Sequence, residues 1–161
     1  MVALARAWPS GPLVFGHDGQ IGAWVLKRLP HVRSFGPFTA IGVIRRNKLA
    51  GGIVYHDFRP EYKSCMISLV FDTPLAATPS VLCSFCTYPF VQLGCERVTA
   101  FTARKNKRCR RWMEGIGWKL EGCARRGFGT DDAMMYGMLK RECRWLEKQE
   151  NEIDTRTAAA A

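Results

Sequence analysis

Apolar and polar residues alternate along several short stretches of this chain, and in other segments the apolar residues recur every three to four positions. The first pattern is typical of strands and the second of helices. Strands are predicted over residues 13–15, 38–45, 49–58, 65–71, 97–102, 118–122 and 133–139. Helices are predicted to begin near residues 18, 79 and 107, and a last short helix is predicted over residues 141–150. The predicted order before that last helix is β-α-β-β-β-α-β-α-β-β.

Turn-forming residues mark the ends of these elements. Thr78 and Pro79 suit an N-cap and the first position of a helix, and Pro89 is expected to kink that helix. Asn47-Lys48 is predicted as a hairpin turn and Gly51-Gly52 as a β-bulge. The chain is thereby divided into short elements that suit one layered domain.

One segment, residues 97–125, carries several signals in a fixed order. Its β-rich start is followed by Asn106, which is placed to cap a helix over residues 107–116. Gly117 supplies the helix stop, and Trp118 opens the next strand. The order is therefore strand, asparagine cap, basic helix, Gly-aromatic stop and strand.

Composition narrows the class of protein. The chain has 161 residues, of which 47% are hydrophobic and 24% charged, as in ordinary globular domains. We expect one domain over residues 1–150 and a disordered tail over residues 151–161. No apolar run approaches the roughly 20 residues that cross a bilayer, and the N-terminus lacks a secretion-signal layout. A cytoplasmic protein without a membrane partner is therefore expected.

The seven cysteines are scattered along the chain, and several fall on apolar faces. This pattern favours reduced core residues over a disulfide framework. Cys83 and Cys86 have the spacing of a redox or metal motif, but they lie inside a predicted helix and no second pair follows. No metal site is predicted.

Residues 97–125 resemble the second half of the GNAT acyltransferase core, and are most similar to its ribosomal-protein N-terminal acetyltransferase branch. Asn106 matches the cofactor-contacting asparagine of that branch, Gly117-Trp118 its Gly-Phe pair, and Glu121-Gly122 with Arg125 its Glu-Gly…Arg pattern. The resemblance covers about residues 38–145. It implies an α+β fold with a central mixed, mostly antiparallel, splayed β-sheet flanked by helices. It also implies that acetyl-CoA, or another acyl-CoA, donates an acyl group directly to an amine-bearing acceptor.

The same resemblance implies a set of cofactor-binding residues. In the family, backbone groups of the central strand and the conserved asparagine hold the pantetheine arm, and a helix start holds the phosphates. The implied residues are Leu69, Val70, Phe71, Ala76, Ala77, Thr78, Ser80 and Asn106. Backbone N–H groups and the helix dipole favour anions at such a start. The glycine-rich phosphate loop of the family is absent here, and Asn106 has a second interpretation as a plain helix cap.

Direct attack by an amine requires a group that accepts its proton. Glu121 and Asp132 are later candidates for this base, and the first candidates are His56 and Asp57, near the end of the strand predicted over residues 49–58. Alternation places these two side chains on opposite faces of the sheet, and the sequence does not decide which face meets the substrate. Tyr136, on the last strand, is a substrate-pocket candidate. Met113 occupies the position at which many GNAT members carry a tyrosine that protonates the leaving thiolate.

The formal net charge is +10, and a basic cluster stands out within it. Its members are Arg104, Lys105, Lys107, Arg108, Arg110 and Arg111. These cations favour acidic partners, such as the cofactor phosphates, nucleic acid or an acidic protein. Three functions stay open: an N-acyltransferase, a phage enzyme of the Mom type that modifies adenine in DNA, and a non-catalytic nucleic-acid-binding relative. The oligomeric state is open between monomer and homodimer.

Overall fold

The computed structural model describes residues 12–146. The strands are β1 (Leu13–Val14), β2 (Phe38–Arg45), β3 (Lys48–Arg59), β4 (Ser64–Phe71), β5 (Arg97–Ala103), β6 (Lys119–Ala124) and β7 (Ala133–Leu139). The α-helices are α1 (Asp18–Leu26), α2 (Pro79–Thr87) and α3 (Lys107–Gly115). The predicted order of strands and helices is therefore confirmed. Of the helix predicted over residues 141–150, the structure shows a 3₁₀ turn at Lys140–Glu142 and then α-helical residues 144–146. The rest of that helix beyond residue 146, and the predicted tail, lie outside the described residues.

The seven strands form one sheet in the order β1-β2-β3-β4-β5-β7-β6. Every neighbouring pair is antiparallel except β4 and β5, which are parallel. These two strands pair only through residues 64–66 of β4 and 97–99 of β5. Beyond this point β4 continues beside β3 and β5 continues beside β7, so the centre of the sheet opens. The predicted mixed, mostly antiparallel and splayed sheet is confirmed.

Helices cover both faces of this sheet. Ile21 and Val25 of α1 are fully buried and share a cluster with Val54 of β3. On the opposite face, Phe85 of α2 and Met113 of α3 belong to a second and larger cluster. Because successive side chains of a strand point to opposite faces, β3 and β4 contribute to both clusters.

The β2–β3 hairpin closes one residue earlier than predicted. Arg45 pairs with Lys48, so the two loop residues are Arg46 and Asn47. Both have positive φ, at 50° and 59°, as a two-residue hairpin turn with matching twist requires. The predicted turn at Asn47-Lys48 is therefore wrong by one position.

The bulge predicted at Gly51-Gly52 falls beside them. The pairing of β2 with β3 shifts by one residue there, and Ala50 is the extra residue. The two glycines are explained by close packing instead, because a Cβ at Gly51 would lie 2.6 Å from the Phe71 ring and one at Gly52 would lie 2.5 Å from Val25.

The predicted helix caps are present. The Thr78 hydroxyl accepts a hydrogen bond from the N–H of Val81 at 3.4 Å, and Asn106 Oδ1 accepts one from the N–H of Cys109 at 3.0 Å. Pro89 lies in a π-helical turn that directly follows α2, which agrees with the predicted kink. Within residues 12–146 no helix is long and apolar enough to cross a membrane.

Candidate active site

The separation of β4 from β5 opens a cavity of about 560 Å³ in the middle of the sheet. Residues 66–71 of β4 form one wall, and residues 100–103 of β5 form the other. Each strand keeps a sheet partner on its outer edge only, because the β4–β5 pairing has ended. Backbone N–H and C=O groups on the two inner edges are therefore available to a ligand that carries amide groups.

The cavity is lined from both faces of the sheet. The loop that follows α1 contributes residues 28–32 on one face, and β3 contributes His56. The beginning of α3 contributes Asn106, Arg108 and Cys109 on the other face. A molecule could thus extend through the sheet and meet a second molecule inside it.

His56 and Ser68 form a hydrogen-bonded pair on the α1 face of the cavity. His56 Nε2 lies 3.0 Å from Ser68 Oγ, and the imidazole ring lies 5.1 Å from the ring of Phe35. Burial lowers the pKa of His56, and the neighbouring Asp57 carboxylate opposes this only in part. The imidazole is therefore neutral at pH 7 and can accept a proton. Sequence reasoning identified His56 but missed Ser68, because only the register that pairs Val54 of β3 with Ser68 of β4 puts the two side chains on the same face.

Asp57, the other predicted base, is not among the cavity-lining residues. It lies where the pairing of β3 with β4 becomes irregular, and its φ is positive at 47°. Its carboxylate forms a surface ion pair with Arg59 at 3.1 Å. The strand end thus separates the two candidates, with His56 in the cavity and Asp57 at the surface.

Tyr136 is fully buried beneath α3 and does not line the cavity. Its hydroxyl donates to Glu114 Oε1 at 2.8 Å and accepts from Arg110 Nε at 3.2 Å. Burial raises the pKa of Tyr136. The hydrogen bond from Arg110 lowers this pKa, whereas Glu114 raises it further. Tyr136 therefore ties α3 to β7, and Arg110, a member of the basic cluster, is part of this tie.

The predicted arm-binding residues are brought together around the cavity. Leu69, Val70 and Phe71 line it from β4, and Asn106 lines it from the start of α3. The side-chain oxygen of Asn106 is used as the cap of α3, as its second interpretation required. Its amide NH₂ group can still donate into the cavity.

The predicted phosphate site is less complete. Ala77 lines the cavity, whereas Ala76, Thr78 and Ser80 do not. The N–H groups of Ala76 and Ala77 donate to carbonyl groups of the preceding 3₁₀ turn, and the Thr78 hydroxyl caps α2 and contacts Ser80 Oγ at 3.1 Å. At this helix start the backbone N–H groups of Thr78 and Ser80 are left for an anion, which is fewer than an open helix N-terminus offers.

Two members of the basic cluster are bonded to other side chains, and the other four form no ion pair among the described residues. Arg104 pairs with Asp132 at 3.0 Å, and Arg110 binds Tyr136. The other predicted cations, Lys105, Lys107, Arg108 and Arg111, are exposed and form no ion pair among residues 12–146. Arg108 also lines the cavity.

Two contacts at the cavity were not predicted. His31 and Phe128 belong to different loops, and their rings stack with centroids 4.7 Å apart and planes 16° apart. Arg28 holds the Asp72 carboxylate with two hydrogen bonds of 2.8 and 3.0 Å. Both pairs join residues that are far apart in sequence, and no local pattern signals them.

The described residues contain no group of three His, Cys, Asp or Glu side chains placed to hold a metal ion. Five of the seven cysteines are buried. Burial raises the pKa of Cys65 beyond the usual range of thiols. The five buried cysteines agree with the interpretation as core residues, whereas Cys109 is half-buried and Cys123 is exposed.

Comparison with solved structures shows which fold this is. A protein described as a probable acetyltransferase matches with a TM-score of 0.57 and 25% identity, over 66% of this chain and 64% of that protein. A variant of spermidine N-acetyltransferase from Vibrio cholerae matches with a TM-score of 0.67 and 13% identity, over 85% of this chain and 96% of the enzyme. The dodecameric form of that enzyme in an intermediate state matches with a TM-score of 0.64 and 12% identity, over 80% of this chain and 92% of the enzyme.

The chain therefore has the GNAT acetyltransferase fold. It spans slightly less than two thirds of the first of these proteins, 64% of its length. No protein-family model matches the chain, and no curated protein sequence matches it either. The resemblance to the ribosomal-protein branch and the phage-type assignment stay predictions.

Proposed function

We propose that this protein is an N-acyltransferase that moves an acetyl group, or a related acyl group, from a coenzyme A thioester to an amine. The observation that carries this proposal is the cavity between β4 and β5, with its two unpaired strand edges and the His56–Ser68 pair in its wall. The GNAT fold alone would not carry it, because a fold hosts many functions and the residues of the site decide among them.

The cavity fits the pantetheine part of the donor. Residues 67–71 of β4 line the cavity, and the backbone groups on the inner edge of this strand can form hydrogen bonds with the amide groups of the pantetheine arm. Asn106 can donate to the arm from the side of α3. The phosphate end of the donor would meet Thr78, Ser80 and the guanidinium of Arg108. The donor supplies an activated thioester carbonyl, and the protein supplies its position and a proton acceptor.

The His56–Ser68 pair gives the amine proton a path. An amine that approaches from the α1 face can release its proton to Ser68 Oγ, while the hydroxyl proton of Ser68 passes to His56 Nε2 at 3.0 Å. This proton release accompanies formation of the bond between the amine nitrogen and the acyl carbon; the carbon–sulfur bond then breaks and the thiolate leaves. Coenzyme A thiolate is a stable leaving group, so Met113 in the place of an acidic tyrosine does not prevent the reaction.

The family resemblance suggests two particular acceptors, a protein N-terminus and an adenine base in DNA. The charge around the cavity favours a nucleic acid over a protein N-terminus and is taken up in the next subsection. The third possible function, that of a non-catalytic relative, is supported by the small number of backbone N–H groups that are available to the cofactor phosphates near Thr78.

Calorimetric titration with acetyl-CoA in moderate salt is the first test. Saturable one-to-one binding is expected, followed by release of coenzyme A when a suitable amine is added. Release should be followed by chromatography, because Cys123 is an exposed free thiol and would react with thiol reagents. Absence of binding for all acyl-CoA thioesters tried would leave the non-catalytic reading.

A matched pair of variants then tests the proton acceptor. His56→Gln removes the proposed base, and Asp57→Asn removes a neighbouring charge at the surface. We expect His56→Gln to reduce turnover by roughly 10²-fold or more and Asp57→Asn to leave it nearly unchanged. Equal losses in both variants would contradict the assignment of His56.

A further inference from the structure

We propose that the acceptor amine is carried by a nucleic acid, whose phosphate backbone binds beside the cavity; the proposal rests on the acyl transfer proposed above. The surface consists of five exposed cations, here called the basic rim. Its members are Lys105, Lys107, Arg108, Arg111 and Arg125.

The sheet brings the two halves of the rim together. Ala103 at the end of β5 and Ala124 at the end of β6 both pair with Ala133, the first residue of β7. The segments that follow, with Lys105 on one side and Arg125 on the other, therefore leave the sheet at the same end. Arg108 at the start of α3 connects this end to the cavity that it lines.

Acidic groups at this end of the sheet are already engaged. Asp132 pairs with Arg104 at 3.0 Å and accepts the N–H of Arg126 at 2.8 Å. Asp131 accepts the N–H groups of Lys105 and Asp132 at 3.2 and 2.9 Å. These carboxylates fix the two loops against each other. Residues 104–132 contain nine Lys and Arg but four Asp and Glu, an excess of +5 that is half of the chain's +10.

The rim differs from an ordinary solvated helix face. Three of the first four residues of α3 are cations, namely Lys107, Arg108 and Arg110, and its first turn has no acid. Cations near a helix N-terminus oppose the helix dipole and lower the stability of the helix. Lys107 and Arg111 lie one turn apart on the solvent side, where both can contact an extended polyanion.

The cavity itself argues against a cationic acceptor. Its lining includes two arginines, Arg28 and Arg108, and one carboxylate, Asp72, which Arg28 already holds. A polyamine would need free carboxylates, and the described lining offers none. Phe128 and His31 form an aromatic surface at the same cavity, on which a base could stack once the backbone is held by the rim. The combination of cations and an aromatic surface favours nucleic acid over an acidic peptide.

Fluorescence anisotropy with a short labelled oligonucleotide tests the proposal. A single strand, the corresponding duplex and an RNA of the same sequence are compared between 50 and 200 mM salt, because all three share the phosphodiester backbone. Saturable binding to at least one of them is expected, with a slope of log affinity against log salt of about −3.5 for a single strand that contacts all five cations.

Lys107→Glu with Arg111→Glu reverses two rim charges that do not line the cavity. The matched control, Lys63→Glu with Arg141→Glu, makes the same change in net charge at the opposite end of the sheet, where both side chains are exposed. We expect the rim variant to lose at least tenfold in affinity and the control less than threefold. Equal losses would overturn the proposal, because binding would then reflect net charge alone.

Two further readouts separate this proposal from the proposed function. Acetyl-CoA binding by calorimetry should survive in the rim variant, and digestion of the nucleic acid after incubation should give acylated nucleosides with the wild-type protein. Thioester binding without any nucleic acid binding would overturn the nucleic-acid proposal alone. Oligonucleotide binding without any thioester binding would overturn the acyl transfer. The proposal that the acceptor is a nucleic acid would also be refuted by either of two results. One is that polyglutamate competes for binding as effectively as the oligonucleotide does. The other is that the protein acylates spermidine faster than it acylates the nucleic acid.

Discussion

Asn106 has a role as a helix cap and a proposed role in donor binding, and a pair of substitutions can separate the two. Its side-chain oxygen caps α3 through the N–H of Cys109 at 3.0 Å, and the residue lines the cavity between β4 and β5. Asn106→Ala removes both roles. Asn106→Ser keeps a side-chain oxygen in the cap position but removes the amide group.

The magnitudes follow from the two interactions. Loss of an N-cap side chain costs about 1 kcal/mol in the free energy of unfolding, which corresponds to a decrease in Tm of about 2–4 °C for a domain of this size. Loss of one neutral hydrogen bond to the donor costs about 0.5–1.5 kcal/mol, or roughly a two- to tenfold increase in Kd. Asn106→Ala should show both effects, whereas Asn106→Ser should keep the Tm nearly unchanged and show the weaker donor binding.

Thermal unfolding and calorimetric titration with acetyl-CoA measure the two effects independently. If Asn106→Ser restores wild-type donor affinity together with wild-type Tm, then Asn106 serves the site through the cap alone. If Asn106→Ala unfolds at the wild-type temperature, then the hydrogen bond to Cys109 contributes nothing measurable and the reasoning about the cap is refuted.

Three further predictions concern the site and its supports. Because burial lowers the pKa of His56 below its ordinary value of about 6.5, kcat/KM should be constant around pH 7 and decrease only as the pH falls below about 6.5. This decrease at low pH should be lost in His56→Gln. If the decrease persists in that variant, another residue is the base. Tyr136→Phe should lower Tm, because it removes the bonds to Arg110 and Glu114, but should leave the pH profile of kcat/KM unchanged; a shifted profile would restore Tyr136 to the chemistry. Gly52→Ala should destabilise by about 1–3 kcal/mol in denaturant unfolding, because its Cβ would overlap a methyl group of α1, and an unchanged midpoint would show that α1 can move away.

The order of elements could be predicted because each has a local cause. Asn106 and Thr78 cap helices with their own side chains, and β4 is apolar along most of its length. The register of β3 could not be predicted, since Ala50 is extruded to accommodate packing against α1 and β4. Gly51 and Gly52, which lie beside Ala50, correctly indicated a bulge in this part of β3 but not its position.

Sequence reasoning reaches part of the cavity wall where that wall follows the strand pattern. Alternation placed the candidate His56 on the face opposite Asp57, and the structure shows that His56 lines the cavity. Ser68, and the stacked pair of His31 and Phe128, were missed, because each depends on side chains that meet across different elements. Tyr136 was misplaced for the same reason, since only the position of α3 above β7 shows that its hydroxyl is already bonded.

The two proposals connect the incomplete phosphate site with the basic rim. Two N–H groups of the loop before α2 are bonded within it, so backbone donors can neutralise little of the charge of a nucleotide thioester. Side-chain cations must do the rest, and Arg108 is the cation of the rim that lines the cavity. The other four rim cations, Lys105, Lys107, Arg111 and Arg125, do not line the cavity. The donor can therefore engage Arg108 while a second polyanion binds the remaining cations. High concentrations of free coenzyme A should then weaken nucleic acid binding only in part, because the two ligands share one cation and not the whole surface.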